Sequence, residues 1–79
     1  MAIHIEIRKT DEDATGATYE FGPSEGSFGT VFVEKATGEV SLLHIDDPKR
    51  GEFYLSRVRR ALQPHLQAGQ FPANTCYKA

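Results

Sequence analysis

The stretch Thr30-Val31-Phe32-Val33-Glu34-Lys35-Ala36-Thr37-Gly38-Glu39-Val40-Ser41-Leu42-Leu43-His44-Ile45 decides the architecture. Two apolar runs rich in β-branched residues flank a short polar segment with Gly38 near its end. This is the pattern of a β-hairpin whose glycine takes the left-handed position of a three- to five-residue loop. Charge selects a register. With Ala36-Thr37-Gly38 as the loop, Lys35 lies opposite Glu39, Phe32 faces Leu42 and Val31 faces Leu43. With Lys35 to Gly38 as the loop, Glu34 meets Glu39, and like charges directly opposite are unfavourable. The first register is therefore expected. It places Val31, Val33, Leu43 and Ile45 on one face and Phe32, Val40 and Leu42 on the other, and a one-residue slip exchanges these memberships. Either way both faces carry apolar side chains, so a helix on one side leaves an apolar strip facing water.

Upstream of the hairpin, Ile3, Ile5 and Ile7 alternate with His4, Glu6 and Arg8, which predicts a half-buried strand. Asp11 to Gly16 reads as an acidic exposed loop. Thr18 to Phe21 reads as a second strand with Tyr19 and Phe21 on one face. Gly22 to Gly29, with three glycines and a proline in eight residues, predicts a long adaptable loop. Downstream, Asp47 is placed to cap a helix that Pro48 opens, since its missing N–H would be unpaired there anyway. Leu55, Val58, Leu62 and Leu66 recur at helical spacing as a core-facing stripe flanked by Tyr54 and Ala61, and Arg57, Arg59 and Arg60 fall outside it. Pro64 predicts a kink, or a break near Gln63, and Gly69 ends the helix. Residues 70–79 are expected as a tail, extended or partly mobile, with Phe71 or Tyr77 as an anchor. The expectation is one α+β domain over residues 1–69. It is a four-stranded antiparallel β-meander in order 1-2-3-4 with one C-terminal α-helix packed on one face (β-β-β-β-α).

Length and charge narrow the function. A chain of 79 residues buries only about 60% of its unfolded surface on folding, which leaves little room for a deep pocket beside a core. Cys76 is the single cysteine, so no internal disulfide forms, and a reducing cytoplasm is expected. No basic and apolar leader precedes the first strand, and no apolar run approaches the roughly 20 residues needed to span a bilayer. Net charge is −2 but uneven. Residues 1–47 carry ten acids and three bases, whereas residues 48–79 carry one acid and six bases.

Three constellations bear on chemistry. Lys49, Arg50, Arg57, Arg59 and Arg60 form a basic helix able to meet phosphate backbones, against which stands the plainer reading of a solvated face that balances acidic loops. The loop from Gly22 to Gly29 leads into a strand, contains Glu25 and lacks the Lys-Ser/Thr pair of a phosphate loop, so an inter-strand connection is the better reading. His4 with Glu6, and His44 with Asp46, each point one way on a strand, but a metal site needs the first and fourth strands to be adjacent. Cys76 has no neighbouring base in sequence, and Ser24 and Ser27 lie in a loop without one. These readings favour a small cytosolic protein-interaction module or homodimer, without catalytic activity or cofactor and away from membranes. Its contacts are expected at Phe32, Val40 and Leu42 and at Arg57, Arg59 and Arg60. A nucleic-acid-binding accessory protein that uses the basic helix is the alternative, and a metal-dependent catalyst a remote one. No motif singles out a known family.

Overall fold

A computed structural model describes residues 4–23 and 25–78. Ile3, the first of the alternating isoleucines, and Ser24 lie outside the described residues. The strands are β1 (His4–Glu12), β2 (Gly16–Gly22), β3 (Gly29–Glu34), β4 (Val40–Ile45) and β5 (Asn74–Lys78). A 3₁₀ turn over Pro48–Arg50 leads into helix α1 (Gly51–Gln67), which precedes β5. The sheet is antiparallel in the order β4-β3-β2-β1-β5. The fold is α+β with the expected meander, but it has five strands rather than four. Residues expected as a tail supply the fifth, which pairs Ile5 with Tyr77 and Ile7 with Thr75.

The fifth strand is held by bonds that begin before it. Tyr19 donates its hydroxyl to the Pro72 carbonyl at 2.8 Å, the Lys9 amide donates to Ala73, and Lys9 Nζ donates to the Phe71 carbonyl. Phe71 and Tyr77 both pack against the core. Isolated, Asn-Thr-Cys-Tyr-Lys is too short and polar to announce itself as a strand, and the free edge of β1 supplies the template.

The β3–β4 register is the second correction. Val33 pairs with Val40 and Val31 with Leu42, and the Glu34 amide donates to the Glu39 carbonyl at 2.9 Å. The loop is therefore Lys35–Gly38, with Gly38 at φ 75°, and the two glutamates do face each other. Burial decides this. Val40 (5% exposed) and Leu42 join Val31 and Val33 on the helix side, where each apolar side chain contributes roughly 1.5–3 kcal/mol. A cross-strand ion pair offers about 0.2–1 kcal/mol. Nor is the lysine wasted, because Lys35 pairs with Glu12 at 2.8 Å. A bulge then lets Thr30 pair with His44, so Leu43 is extra and turned outward at 58% exposure. The bulge returns Ile45 to the face that Leu42 occupies, and both meet α1 near Gly51.

The buried hydrophobic side chains of the described residues lie between this one face and α1: Ile5, Ile7, Ala17, Tyr19, Phe21, Val31, Val33 and Val40 against Tyr54, Val58 and Leu62. Leu55 and Leu66, expected in the core-facing stripe, are only partly buried beside it, and Tyr54, expected on its flank, is buried with Val58 and Leu62. Asp47 caps the 3₁₀ turn that Pro48 opens, accepting from the Lys49 amide at 3.1 Å. The α-helix itself starts three residues later than expected, at Gly51, with no side-chain cap at Arg50. The helix runs through Pro64 without a break at Gln63. The lost backbone bond falls on the exposed side, and Leu62 and Leu66 hold the turns on either side against the sheet. The opposite sheet face carries Glu6, Arg8, Thr18, Glu20, Thr30 and Ser41, with Phe32 as its large apolar group. The tip of the Phe32 ring packs on Gly16, where any Cβ would sit 2.4 Å from Cζ. Among the described residues, the apolar strip expected on this face is absent from it.

Register and the Tyr19 anchor can each be tested. Val40→Asp buries an unpaired carboxylate and should cost on the order of 4 kcal/mol in urea denaturation, whereas Phe32→Ser should cost about 1 kcal/mol. The reverse ranking would contradict the register. Burial, and secondly the Glu12 charge, push the Tyr19 hydroxyl up to about 12. The folded chain then holds that proton more tightly than the unfolded chain, so its contribution is complete below about pH 10 and is lost as pH rises toward 12. Tyr19→Phe should cost about 1 kcal/mol at pH 7 and flatten the alkaline loss of stability. Parallel alkaline profiles for the two proteins would contradict this.

Candidate functional site

The outer surface of α1 carries the densest exposed chemistry. Its 17 residues bury Gly51, Tyr54, Val58 and Leu62, which turns Phe53, Arg57 and Arg60 outward along one stripe at spacings of four and three. The Arg57 guanidinium lies over the Phe53 ring, 4.1 Å from its centroid, a cation–π pair that the i, i+4 spacing permits. Arg57 Nε is shielded from solvent and has no hydrogen-bond partner among the described residues. Phe53, 38% exposed, meets Tyr54 edge-on at 5.4 Å, and Tyr54 stacks on Phe28 at 4.7 Å and tilts against Phe21 at 6.0 Å. A train of rings thus runs from the core to the surface and fixes the platform under Arg57. Phe28, from the glycine-rich connection, is a half-buried member of that train.

The cations of this helix are largely unneutralised. Between Lys49 and Arg60 there are five bases and one acid, Glu52. Arg50 lies 3.8 Å from Asp47, but among the described residues no carboxylate pairs with Lys49, Arg57, Arg59 or Arg60. The acids that balance them on paper are engaged elsewhere. Glu12 bridges Lys9 and Lys35, Glu20 holds Arg8 at 2.9 Å, and Asp46 bonds His44 at 2.9 Å. The two lysines, Lys35 foremost and Lys9 after it, hold the Glu12 carboxyl below the usual carboxylate range. The helix therefore does not serve as the counter-charge of the acidic loop.

The six contact residues expected from sequence are not one surface. Val40 is in the core, Leu42 is partly buried against it, and Phe32 lies on the opposite sheet face. Arg57 and Arg60 share the outer stripe. Arg59, about 200° round the helix from Arg57, lies on the β4 flank and donates from Nη2 to the Val40 carbonyl at 3.1 Å. On that flank a groove of about 520 Å³ opens between the β3–β4 turn and the second half of α1. Phe53 is not among the contacts expected from the sequence, although its i, i+4 spacing from Arg57 was a signal for it. The groove depends on how the helix crosses the sheet and left no mark in the sequence.

The other constellations stay apart. His4 bonds Glu6 and His44 bonds Asp46, but β2 and β3 separate β1 from β4. Among the described residues no group of three or more His, Cys, Asp or Glu side chains is placed to hold a metal. Cys76 is exposed on β5 opposite Glu6. The Gly22–Gly29 connection is pinned by Arg8, which donates to the carbonyls of Pro23 and Gly26 at 3.4 and 2.7 Å. Among the described residues no helix is long and apolar enough to cross a membrane. Comparison with known proteins finds no matching family model, no matching curated protein and no matching solved structure.

Proposed function

We propose that this chain is a small, non-catalytic interaction module that presents the outer face of α1 to an acidic protein partner. One observation carries the reading: Arg57 and Arg60 lie on a stripe with exposed Phe53 and, among the described residues, have no carboxylate partner of their own. Arginine and aromatic side chains are the groups that most often dominate a protein interface, and a rigid ring under a guanidinium orders both before contact. A carboxylate that approaches Arg57 meets donors already fixed in place. Self-association through this face would set like charges against each other, which favours a different partner over a second copy. A phosphate backbone laid along the helix meets the same cations, but Asp46, Asp47 and Glu52 cluster at its N-terminal end, and the whole chain is negative. The acidic protein is therefore preferred to nucleic acid.

The test is a titration of the ¹⁵N-labelled protein with a glutamate-rich peptide containing leucine, and separately with a twelve-base-pair DNA duplex, at two salt concentrations. Amide shifts should concentrate at Phe53, Arg57 and Arg60 on addition of the peptide. Phe53→Ala or Arg57→Ala should weaken binding about fivefold or more, equivalent to about 1 kcal/mol. Tighter binding of the duplex, with a steeper salt dependence, would replace the reading by the nucleic-acid one. Binding of neither would discard both.

A further inference from the structure

The groove on the Arg59 flank lies beside an edge strand, and its two walls offer complementary chemistry. β4 has a neighbour on one side only, β3, in the described sheet. The bond from the Glu34 amide to the Glu39 carbonyl makes that a hydrogen-bonded pair, so by antiparallel alternation Ser41 bonds toward β3 while the main-chain groups of Val40 and Leu42 point outward. One of these outward groups is already engaged: the Val40 carbonyl accepts from Arg59, a side chain occupying the place of a strand's N–H. The helix makes room for more. At its start, a Cβ on Gly51 would lie 3.5 Å from Leu42 Cδ2, and at its end His65 Nε2 lies 3.4 Å from Thr75 Oγ1 on β5. The helix thus crosses the sheet diagonally from one edge to the other, and a wedge opens between its second half and the first half of β4.

Arg59, Gln63 and Gln67 stand along this wedge at intervals of four, above a floor of Val40 and Leu66, with Gly38 at the turn. From Arg59 to Gln67 the helix rises about 12 Å, the length of about four extended residues. A glutamine amide can both donate to and accept from an extended main chain. Arg59 keeps guanidinium N–H groups beyond the one given to Val40, and no carboxylate among the described residues takes them. The volume falls within the range of peptide and small-ligand sites.

We propose that this wedge binds an extended peptide segment of a partner protein, which pairs its main chain with the Val40 amide and the outward groups of Leu42 and places a carboxylate side chain on Arg59. The mode is strand addition, with the helix flank supplying selectivity. It uses a different flank of α1 from the Phe53, Arg57 and Arg60 stripe and stands or falls separately.

The probe is a capped five-residue peptide of alternating threonine and valine with a central aspartate, titrated to about ten millimolar against the ¹⁵N-labelled protein. Shifts are expected at the amides of Val40, Leu42 and Gln63 and at Arg59 Nε. Replacing the aspartate by asparagine, or Arg59→Ala in the protein, should weaken binding fivefold or more. Methylation of the peptide's pairing amides should abolish it, and Arg57→Ala with Arg60→Ala should leave it unchanged. Absence of shifts at these amides overturns the proposal, as does equal binding of the methylated peptide. Shifts confined to the Phe53 stripe would assign the peptide to that surface instead. Concentration-dependent shifts at β4 without peptide would assign the groove to a second copy of the chain.

Discussion

One helix can cover one face of one sheet. With α1 as the covering element, every large side chain that must leave water has to point to the same side, and the strands take whatever register achieves that. β3 and β4 accept two glutamates opposite each other in order to turn Val40 and Leu42 inward. β4 accepts a bulge that exposes Leu43 in order to bring Ile45 back to the helix. Tyr19, with no exposed surface, satisfies its hydroxyl on the Pro72 carbonyl, and that bond helps to lay the last strand against β1.

The same constraint sets which side chains are left on the surface. Once the apolar groups are gathered on the inner face, the outer sheet face is left with paired charges, threonines and the Phe32 ring packed on Gly16. The side of α1 away from the sheet carries Arg57 and Arg60, which no carboxylate among the described residues neutralises. Its cations are not drawn into the fold, because Lys9 and Lys35 neutralise Glu12 locally and Arg8 is committed to Glu20 and the glycine-rich connection. Asymmetry between the two halves of the sequence therefore persists as asymmetry on the molecular surface. A weak exposed ion pair contributes little to stability, so leaving Arg57 and Arg60 without a carboxylate among the described residues costs the fold little.

Much of the architecture was legible in residue order. Ile5 and Ile7, the Tyr19 and Phe21 pair and Gly69 just past the helix end all sit where local physics puts them, and Asp47-Pro48 opens the 3₁₀ turn that leads into the helix. Register was not legible, because local charge and global burial point in opposite directions. The attraction between Lys35 and Glu39 can be read from neighbouring residues, whereas the stronger effect of burying Val40 and Leu42 depends on which sheet face the helix covers. The fifth strand escaped because Asn74 to Lys78 has little intrinsic strand character, and its partners, Ile5 and Ile7 among them, are some 70 residues away in sequence. Of the two readings of Pro64, the break near Gln63 does not occur, because contacts of Leu62 and Leu66 outweigh a local penalty of about 3 kcal/mol. Of the candidate contact residues, the arginines were visible as outward-facing from helical spacing alone. Their division between two flanks required a helix axis, and the failure of Phe32, Val40 and Leu42 to form one patch follows from the register.

The most direct test of this single apolar face is the cross-strand pairing of β3 and β4 in solution, read from Hα–Hα nuclear Overhauser contacts. A strong contact between Val33 and Val40, which face each other as a non-hydrogen-bonded pair, is the expected result. A contact between Phe32 and Leu42, or between Glu34 and Val40, would contradict it. It would turn Val40 and Leu42 to the outer face, empty the core beneath α1 and return an exposed apolar patch to the sheet.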